Sequence, residues 1–137
     1  MDDLEAARQR LKDKELSLVF TKNSKVIFET EVEGLRGFLQ AIEKLGGSLS
    51  EASVADKIVG KAAALLCAYS KAKAVFAVTI SQSGRETLKA YRIPLEYENL
   101  VPIILNRKKN DRRPFEKLVE STTDPKEAYD KIEQQCR

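Results

Sequence analysis

The stretch that decides the fold is AVFAVTI, residues 74–80. A near-continuous apolar run rich in β-branched residues is typical of a strand buried on both faces, as found in parallel sheets covered by helices. Residues 81–84 (SQSG) follow at once and open a helix that runs to about Tyr91. Ser83 and Glu86 have the spacing of a capping box at the start of that helix. The stretch therefore predicts a strand followed by a helix, the repeating unit of an α/β domain.

The residues before this strand predict a long buried helix. From Ile58 to Ala68 the only charged side chain is Lys61, and a helix that is apolar nearly all round is covered on several sides. Gly60 and the alanines that follow it allow close approach to neighbouring elements. Ser53 and Asp56 have capping-box spacing, so the helix is expected to begin near Ser53.

The rest of the chain adds a hairpin and further helices. The remaining predicted elements are a helix over Asp2–Lys12, strands over Leu16–Phe20 and Val26–Thr30, a helix over Leu35–Leu45 ended by Gly46, a strand within Leu95–Leu105, and helices beginning at Pro114 and Asp124. Because strands alternate with helices, the predicted fold class is α/β, a three-layer α/β/α arrangement with a mixed sheet. We expect one domain over residues 1–137, in which helices over 1–13 and 121–137 flank a core over 14–120.

Histidine is absent from all 137 residues, and this excludes several kinds of chemistry. Nucleophilic pairs such as Ser-His or Cys-His are impossible. A zinc site with a His ligand is equally impossible, and the distant Cys67 and Cys136 cannot supply its ligands instead, so we expect no metal and no cofactor. The acidic N-terminus does not resemble a signal peptide, and no apolar run approaches the ~20 residues of a membrane helix. These features indicate a cytoplasmic protein whose two cysteines are free thiols.

Positive charge is concentrated in residues 107–113. This segment holds five basic residues and one acid, a local charge of +4, whereas the whole chain has a net charge of +3. Such a density suggests an anionic partner, although an ordinary solvated loop has the same composition. Nucleic acid is disfavoured as that partner because no aromatic side chain is interleaved with the basic residues.

Three places in the chain could hold a small ligand. Residues 81–84 follow a buried strand, where ligands of α/β sheets bind, and a helix start attracts anions. The alternative is that Ser81 or Ser83 is an ordinary N-cap. The second of these places is the pair Asp56 and Lys57. Here Asp56 is either a ligand-binding residue or the partner of a helix cap.

Lys61 belongs with that second place. Its side chain either extends to the surface or faces a polar cavity with a partner. The third place is Asn106 with Arg107, next to the basic segment.

These stretches resemble a known family. DKIVGKAAA (residues 56–64), Asn106-Arg107 and the Pro-Phe-Glu of residues 114–116 are similar to a group of small uncharacterised prokaryotic proteins with a cytidine deaminase-like fold. The resemblance covers roughly residues 14–120. Relatives often carry Cys directly before the proline, whereas this chain has Arg113.

The resemblance implies the fold and a homodimer, but not the deaminase chemistry. Zinc deaminases need His-x-Glu at one helix start and Pro-Cys-x-x-Cys at the next. The matching positions here read Ala-Asp-Lys (residues 55–57) and Ser-Gln-Ser-Gly (residues 81–84). Without zinc ligands no water is activated at neutral pH by this route, so a zinc-dependent deaminase is not expected.

The function favoured by the sequence is therefore a metal-free, deaminase-like domain that binds a small anionic ligand such as a nucleotide. The expected ligand-binding residues are Asp56, Lys57, Lys61, Ser81, Ser83, Gly84, Asn106 and Arg107. One alternative is an enzyme of unknown reaction with Asp56 or Lys61 as its acid or base. Another is a protein- or nucleic-acid-interaction module that uses the basic loop, residues 107–113.

Overall fold

The computed structural model describes residues 2–105 and 114–136 of the chain. In chain order the elements are α1 (Asp3–Asp13), β1 (Leu18–Lys22), β2 (Lys25–Thr30), α2 (Leu35–Leu45), a 3-10 helix (Gly46–Leu49), β3 (Ser53–Val59), α3 (Lys61–Tyr69), β4 (Ala74–Ser81), α4 (Gln82–Ala90), β5 (Leu95–Val101), α5 (Pro114–Leu118) and α6 (Pro125–Cys136). Within the described residues the five strands form one mixed sheet in the order β2-β1-β3-β4-β5. Strand β1 is antiparallel to β2 and β3, while β3, β4 and β5 are parallel. The predicted α/β class with a mixed sheet is confirmed.

The segment predicted to begin the long helix is a central strand instead. Strand β3 pairs with β1 on one side and with β4 on the other, so both of its edges are hydrogen-bonded. Its β-branched residues Val54 and Val59 are fully buried, which suits a strand inside a sheet. The helix begins only at Lys61, after Gly60 in an extended conformation. The predicted capping box of Ser53 and Asp56 is therefore wrong, because strand pairing on both edges outweighs the local helix-start pattern.

Other predicted elements are observed near their expected places. The deciding stretch is β4, the hairpin is β1 and β2, and the strand expected within Leu95–Leu105 is β5. Helix α2 ends at Gly46, whose φ of 49° is a left-handed conformation that glycine accepts without steric cost.

Helices pack against both faces of the sheet. On one face, Ala7 and Leu11 of α1 form a small apolar cluster with Val19, Ala55 and Phe76. On the other face, α2, α3, α4 and α6 contribute to the larger core. The fully buried side chains of that core include Phe20, Phe38, Leu65, Leu66, Leu88 and Ile132. Each contributes about 1.5–3 kcal/mol by removing apolar surface from water, so this face dominates the stability of the fold.

The parallel strands place two helix starts side by side. Strand β3 leads through Gly60 into α3, and β4 leads directly into α4. In open parallel sheets this end, beyond the carboxyl ends of the strands, is where ligands bind. None of the described helices is long and apolar enough to span a bilayer.

Candidate functional site

A cavity of about 390 Å³ lies at the end of β3, between the start of α2 and the start of α5. We call it the β3 cavity. Its lining consists of Ser17, Glu33, Gly34, Leu35, Asp56, Lys57, Ile58, Gly60, Ala63, Ile104, Pro114, Phe115 and Glu116. About half of these side chains are apolar, and the polar ones are mostly charged.

Glu116 is the buried charged residue of this lining, with 9% of its surface exposed. Its two carboxylate oxygens accept hydrogen bonds from the backbone N–H groups of Lys61, at 2.8 Å, and Ala62, at 3.0 Å. Helix α3 begins after a glycine and so lacks a side-chain cap of its own. The carboxylate from α5 satisfies two free N–H groups and lies at the positive end of the helix dipole. The start of α3 therefore holds an anion of the chain itself.

Gly60 makes room for that carboxylate. A Cβ atom at this position would lie 2.3 Å from Oε1, 2.5 Å from Cδ and 2.7 Å from Oε2 of Glu116. Gly84 makes a similar close contact in α4, because a Cβ there would lie 2.9 Å from the carbonyl oxygen of Val59. Gly84 thus lets the start of α4 approach the backbone of Val59 and Gly60 at the end of β3.

The outer wall of the β3 cavity is polar. Asp56, half-buried, accepts a hydrogen bond at 3.4 Å from the N–H of Ile58. Lys57 is exposed, and its N–H donates to the carbonyl of Ser17 at 3.0 Å. Among the described lining residues, Lys57 is the one cation beside the carboxylates of Glu33, Asp56 and Glu116.

A second cavity of about 320 Å³ lies beside the first, at the start of α4. We call it the α4 cavity. Its lining consists of Lys61, Gln82, Ser83, Glu86, Pro102, Ile103, Ile104, Glu116 and Glu120. Ile104 and Glu116 line both cavities and so form the wall between them.

Lys61 faces the α4 cavity rather than the β3 cavity. Its ammonium group donates a hydrogen bond to the carbonyl oxygen of Glu120 at 2.8 Å. The sequence left open whether this side chain extends to the surface or faces a polar cavity with a partner. In the structure it extends away from the buried helix, lines the α4 cavity and is hydrogen-bonded to Glu120.

Ser81 is the N-cap of α4. Its Oγ accepts a hydrogen bond from the N–H of Gly84 at 3.0 Å and lies 3.2 Å from the Oγ of Ser83. The predicted capping box of Ser83 and Glu86 is wrong, because the N-cap is Ser81 and the helix begins two residues earlier, at Gln82. Ser81 and Gly84 are buried and have a structural role at the helix start.

The predicted site residues that line a cavity therefore lie in two different cavities rather than in one. Asp56 and Lys57 line the β3 cavity, whereas Lys61 and Ser83 line the α4 cavity. The predicted positions Asn106 and Arg107, like the basic loop over 107–113, lie outside the described residues.

Comparison with known proteins places the chain in a family. A family model named TM1506, with the description "Domain of unknown function (DUF1893)", matches residues 6–136. This chain belongs to the DUF1893 family. The chain is also similar to the crystal structure of a DUF1893 family protein, TM1506 from Thermotoga maritima, with 28% sequence identity and a TM-score of 0.89. The match covers 97% of this chain and 89% of that one.

Membership of a domain-of-unknown-function family, as the sequence resemblance predicted, is thus confirmed. No curated protein matches the chain significantly.

Cys67 of this DUF1893 chain is fully buried in α3. Burial raises the pKa of its thiol well above the usual value, and the negative charge of Asp56 raises it further. The thiol is therefore protonated and inert in the folded protein. Both cysteines are free thiols, as predicted. Among residues 2–105 and 114–136, no three potential metal ligands are clustered closely enough to hold an ion.

Sequence reasoning missed Glu116 as a site residue. Its partners, Lys61 and Ala62, are more than fifty positions away in the chain. The available signal was indirect: α3 begins after a glycine, so its N–H groups need a distant acceptor. Ser17 and Glu33 were missed for the same reason, since they join the cavity only when β1 and the segment before α2 pack beside β3.

Proposed function

We propose that this DUF1893 domain binds a small nucleotide-like ligand in the β3 cavity, without a metal. The observation that carries the proposal is the cavity itself. Its volume of about 390 Å³ and its lining, in which apolar side chains alternate with polar groups that converge on one space, suit a small-molecule site. It also lies at the carboxyl end of β3, the position that ligands prefer in parallel sheets.

The lining suggests how such a ligand is bound. Phe115, Ile58 and Leu35 offer apolar surface to a planar base. The carboxylates of Asp56 and Glu33 accept hydrogen bonds from its N–H groups. Lys57 is exposed at the rim, where its ammonium group meets an anionic substituent such as a phosphate.

The finer fold assignment belongs to the same proposal. The sheet order β2-β1-β3-β4-β5, with α1 on one face and the larger core on the other, supports a three-layer, cytidine deaminase-like arrangement. A shared fold does not transfer an activity. Since the chain has no histidine, the proposed function is binding and not zinc-dependent deamination.

A thermal-shift screen tests the proposal. The probes are cytidine, adenosine and their 5′-monophosphates at millimolar concentration. A ligand present at about ten times its Kd stabilises the folded state by about 1.4 kcal/mol, which corresponds to a rise in Tm of about 4–5 °C for a chain of this size. Asp56→Asn should reduce the rise for a ligand that binds through its amino group. Lys25→Met, an exposed lysine of the hairpin, is the control and should not change it.

No response to any of these probes, together with no excess mass on the purified protein in native mass spectrometry, would lead us to abandon the proposal.

An enzyme with Asp56 as its acid or base is the second candidate. It is favoured by the half-buried position of this carboxylate in the wall of the β3 cavity. The discriminating result is chemical conversion of a bound probe, followed by mass spectrometry, that Asp56→Asn abolishes while the Kd for the probe stays within about threefold.

A further inference from the structure

We infer that Glu116 determines the specificity and orientation of the ligand in the β3 cavity: its inner end accepts a hydrogen-bond donor and rejects an anion. The inference rests on the proposed function for the identity of the cavity as the binding site. It names the side chain that decides which end of a nucleotide-like molecule enters first.

The carboxylate of Glu116 is fixed and buried. Each of its oxygens accepts one backbone N–H bond, from Lys61 and Ala62, and the residue is 9% exposed. Because a carboxylate oxygen has two acceptor positions, each keeps capacity for a further donor. An amino group at the inner end of the cavity can use that capacity, whereas a phosphate would meet like charge in a place with little water to screen it.

The start of α3 cannot receive an external anion while Glu116 occupies it. The N–H groups of Lys61 and Ala62 are the ones that would bind such an anion, and both are already used. Gly60 adds no side chain that could displace the carboxylate. An anionic substituent is therefore directed outward, toward the exposed Lys57.

Chemical rescue tests the role of Glu116 without any nucleotide. Glu116→Ala vacates two N–H groups and the space beside Gly60, so formate should bind there. We expect formate at about ten times its Kd to raise the Tm of the variant by about 4–5 °C and to leave the wild-type protein unchanged. Glu86→Ala, which removes another carboxylate of the α4 cavity, is the matched control and should not respond.

If Glu116→Ala is unfolded in buffer, formate should restore its far-UV circular dichroism. Absence of any formate effect that distinguishes Glu116→Ala from Glu86→Ala overturns the inference.

Specificity is tested with Glu116→Gln, which keeps the size of the side chain and removes its charge. The quantity compared is the ratio of Kd values for a nucleoside 5′-monophosphate and its nucleoside. We expect the ratio to fall by about tenfold in the variant, because the uncharged side chain also admits the phosphate at the inner end, an orientation that the carboxylate rejects in the wild-type protein. A purely structural role would change both affinities together, so an unchanged ratio refutes the inference.

If no nucleoside or nucleotide binds at all, the proposed function fails, and the formate experiment still decides whether Glu116 occupies an anion site.

Discussion

Replacing Gly60 with alanine is the sharpest test of the contact between α5 and α3. The backbone at Gly60 is extended, with φ of −98° and ψ of −169°, so alanine fits this conformation without strain. On its own the change would stabilise the protein by about 0.4–1 kcal/mol, through the lower entropy of the unfolded chain. The new Cβ, however, would lie 2.3 Å from Oε1 of Glu116. The carboxylate must therefore move away from the helix start.

The cost of that movement follows from the bonds that are lost. The atoms that meet the Cβ belong to the end of a side chain, so no backbone has to shift. What is lost is two charge-assisted hydrogen bonds, each contributing about 1.5–3 kcal/mol. Water replaces part of the two lost hydrogen bonds, and the lower entropy of the unfolded chain offsets a further part of the cost. We therefore expect the free energy of unfolding to fall by about 2–4 kcal/mol. The entropy of unfolding is about 0.29 kcal/mol/K for a chain of this length, so the Tm should fall by about 10 °C.

A double-mutant cycle of Gly60→Ala and Glu116→Ala, with each variant's stability measured by urea denaturation, gives the energy of this contact directly. In the Glu116→Ala background there is no carboxylate to displace, and Gly60→Ala should be neutral or stabilising by up to about 1 kcal/mol. The expected coupling energy is therefore about 3 kcal/mol. Gly47→Ala is the control, because a Cβ at that position meets no atom within 4 Å. An equal effect of Gly60→Ala in both backgrounds would refute the proposed role of the contact.

Three further predictions concern stability and thiol chemistry. Ser81→Ala removes the N-cap of α4 and should cost about 1 kcal/mol in urea denaturation; a loss below about 0.3 kcal/mol would contradict the capping role. Asp3→Ala removes the acceptor of two backbone N–H groups in the hairpin turn at residues 23–24 and should cost about 1–2 kcal/mol; wild-type stability would show that α1 does not support the hairpin. Cys67 should react with a thiol reagent only after unfolding, whereas the half-buried Cys136 reacts in the native protein.

The raised pKa of Cys67 also predicts a pH dependence with a definite sign. The thiol stays protonated in the folded state, whereas in the unfolded chain it ionises near its ordinary pKa of 9.0. Below that value the group has no effect on stability; above it the unfolded state binds fewer protons, so folding becomes less favourable as the pH rises. Cys67→Ala should therefore reduce the loss of stability between pH 8 and pH 10, measured by urea denaturation. An identical slope in the variant and the wild-type protein would contradict this.

The accuracy of the sequence predictions depended on how locally each element is determined. The strand at Ala74–Ile80 was recognisable because β-branched residues act over a few positions. The N-cap of the next helix was left open between Ser81 and Ser83, since both offer a capping hydroxyl, and the structure places it at Ser81. Strand β3 was not, since the helix-start pattern and the alanine-rich run beyond it favoured one continuous helix. What decides its conformation is pairing with β1 and β4. Gly60, which separates strand from helix, was the local sign of that boundary.

The candidate site was harder to predict than the fold. Asp56 and Lys57 were identified and line the β3 cavity, although they belong to a strand and not to a helix start. Glu116 could not be assigned, because its partners on α3 are set by the packing of distant segments. The sequence thus indicated two residues that line the β3 cavity but not Glu116, whose carboxylate occupies the start of α3.

Helix α1 has a consequence for anyone who shortens this protein. It supplies the helical residues of the apolar cluster on its face of the sheet, where Ala7 and Leu11 cover Val19, Ala55 and Phe76. A truncation that removes residues 2–13 would leave these side chains as a bare, hydrophobic sheet surface, a form of exposure that promotes association between molecules. Such a fragment should precipitate or oligomerise on expression, even though no residue of α1 lines either cavity.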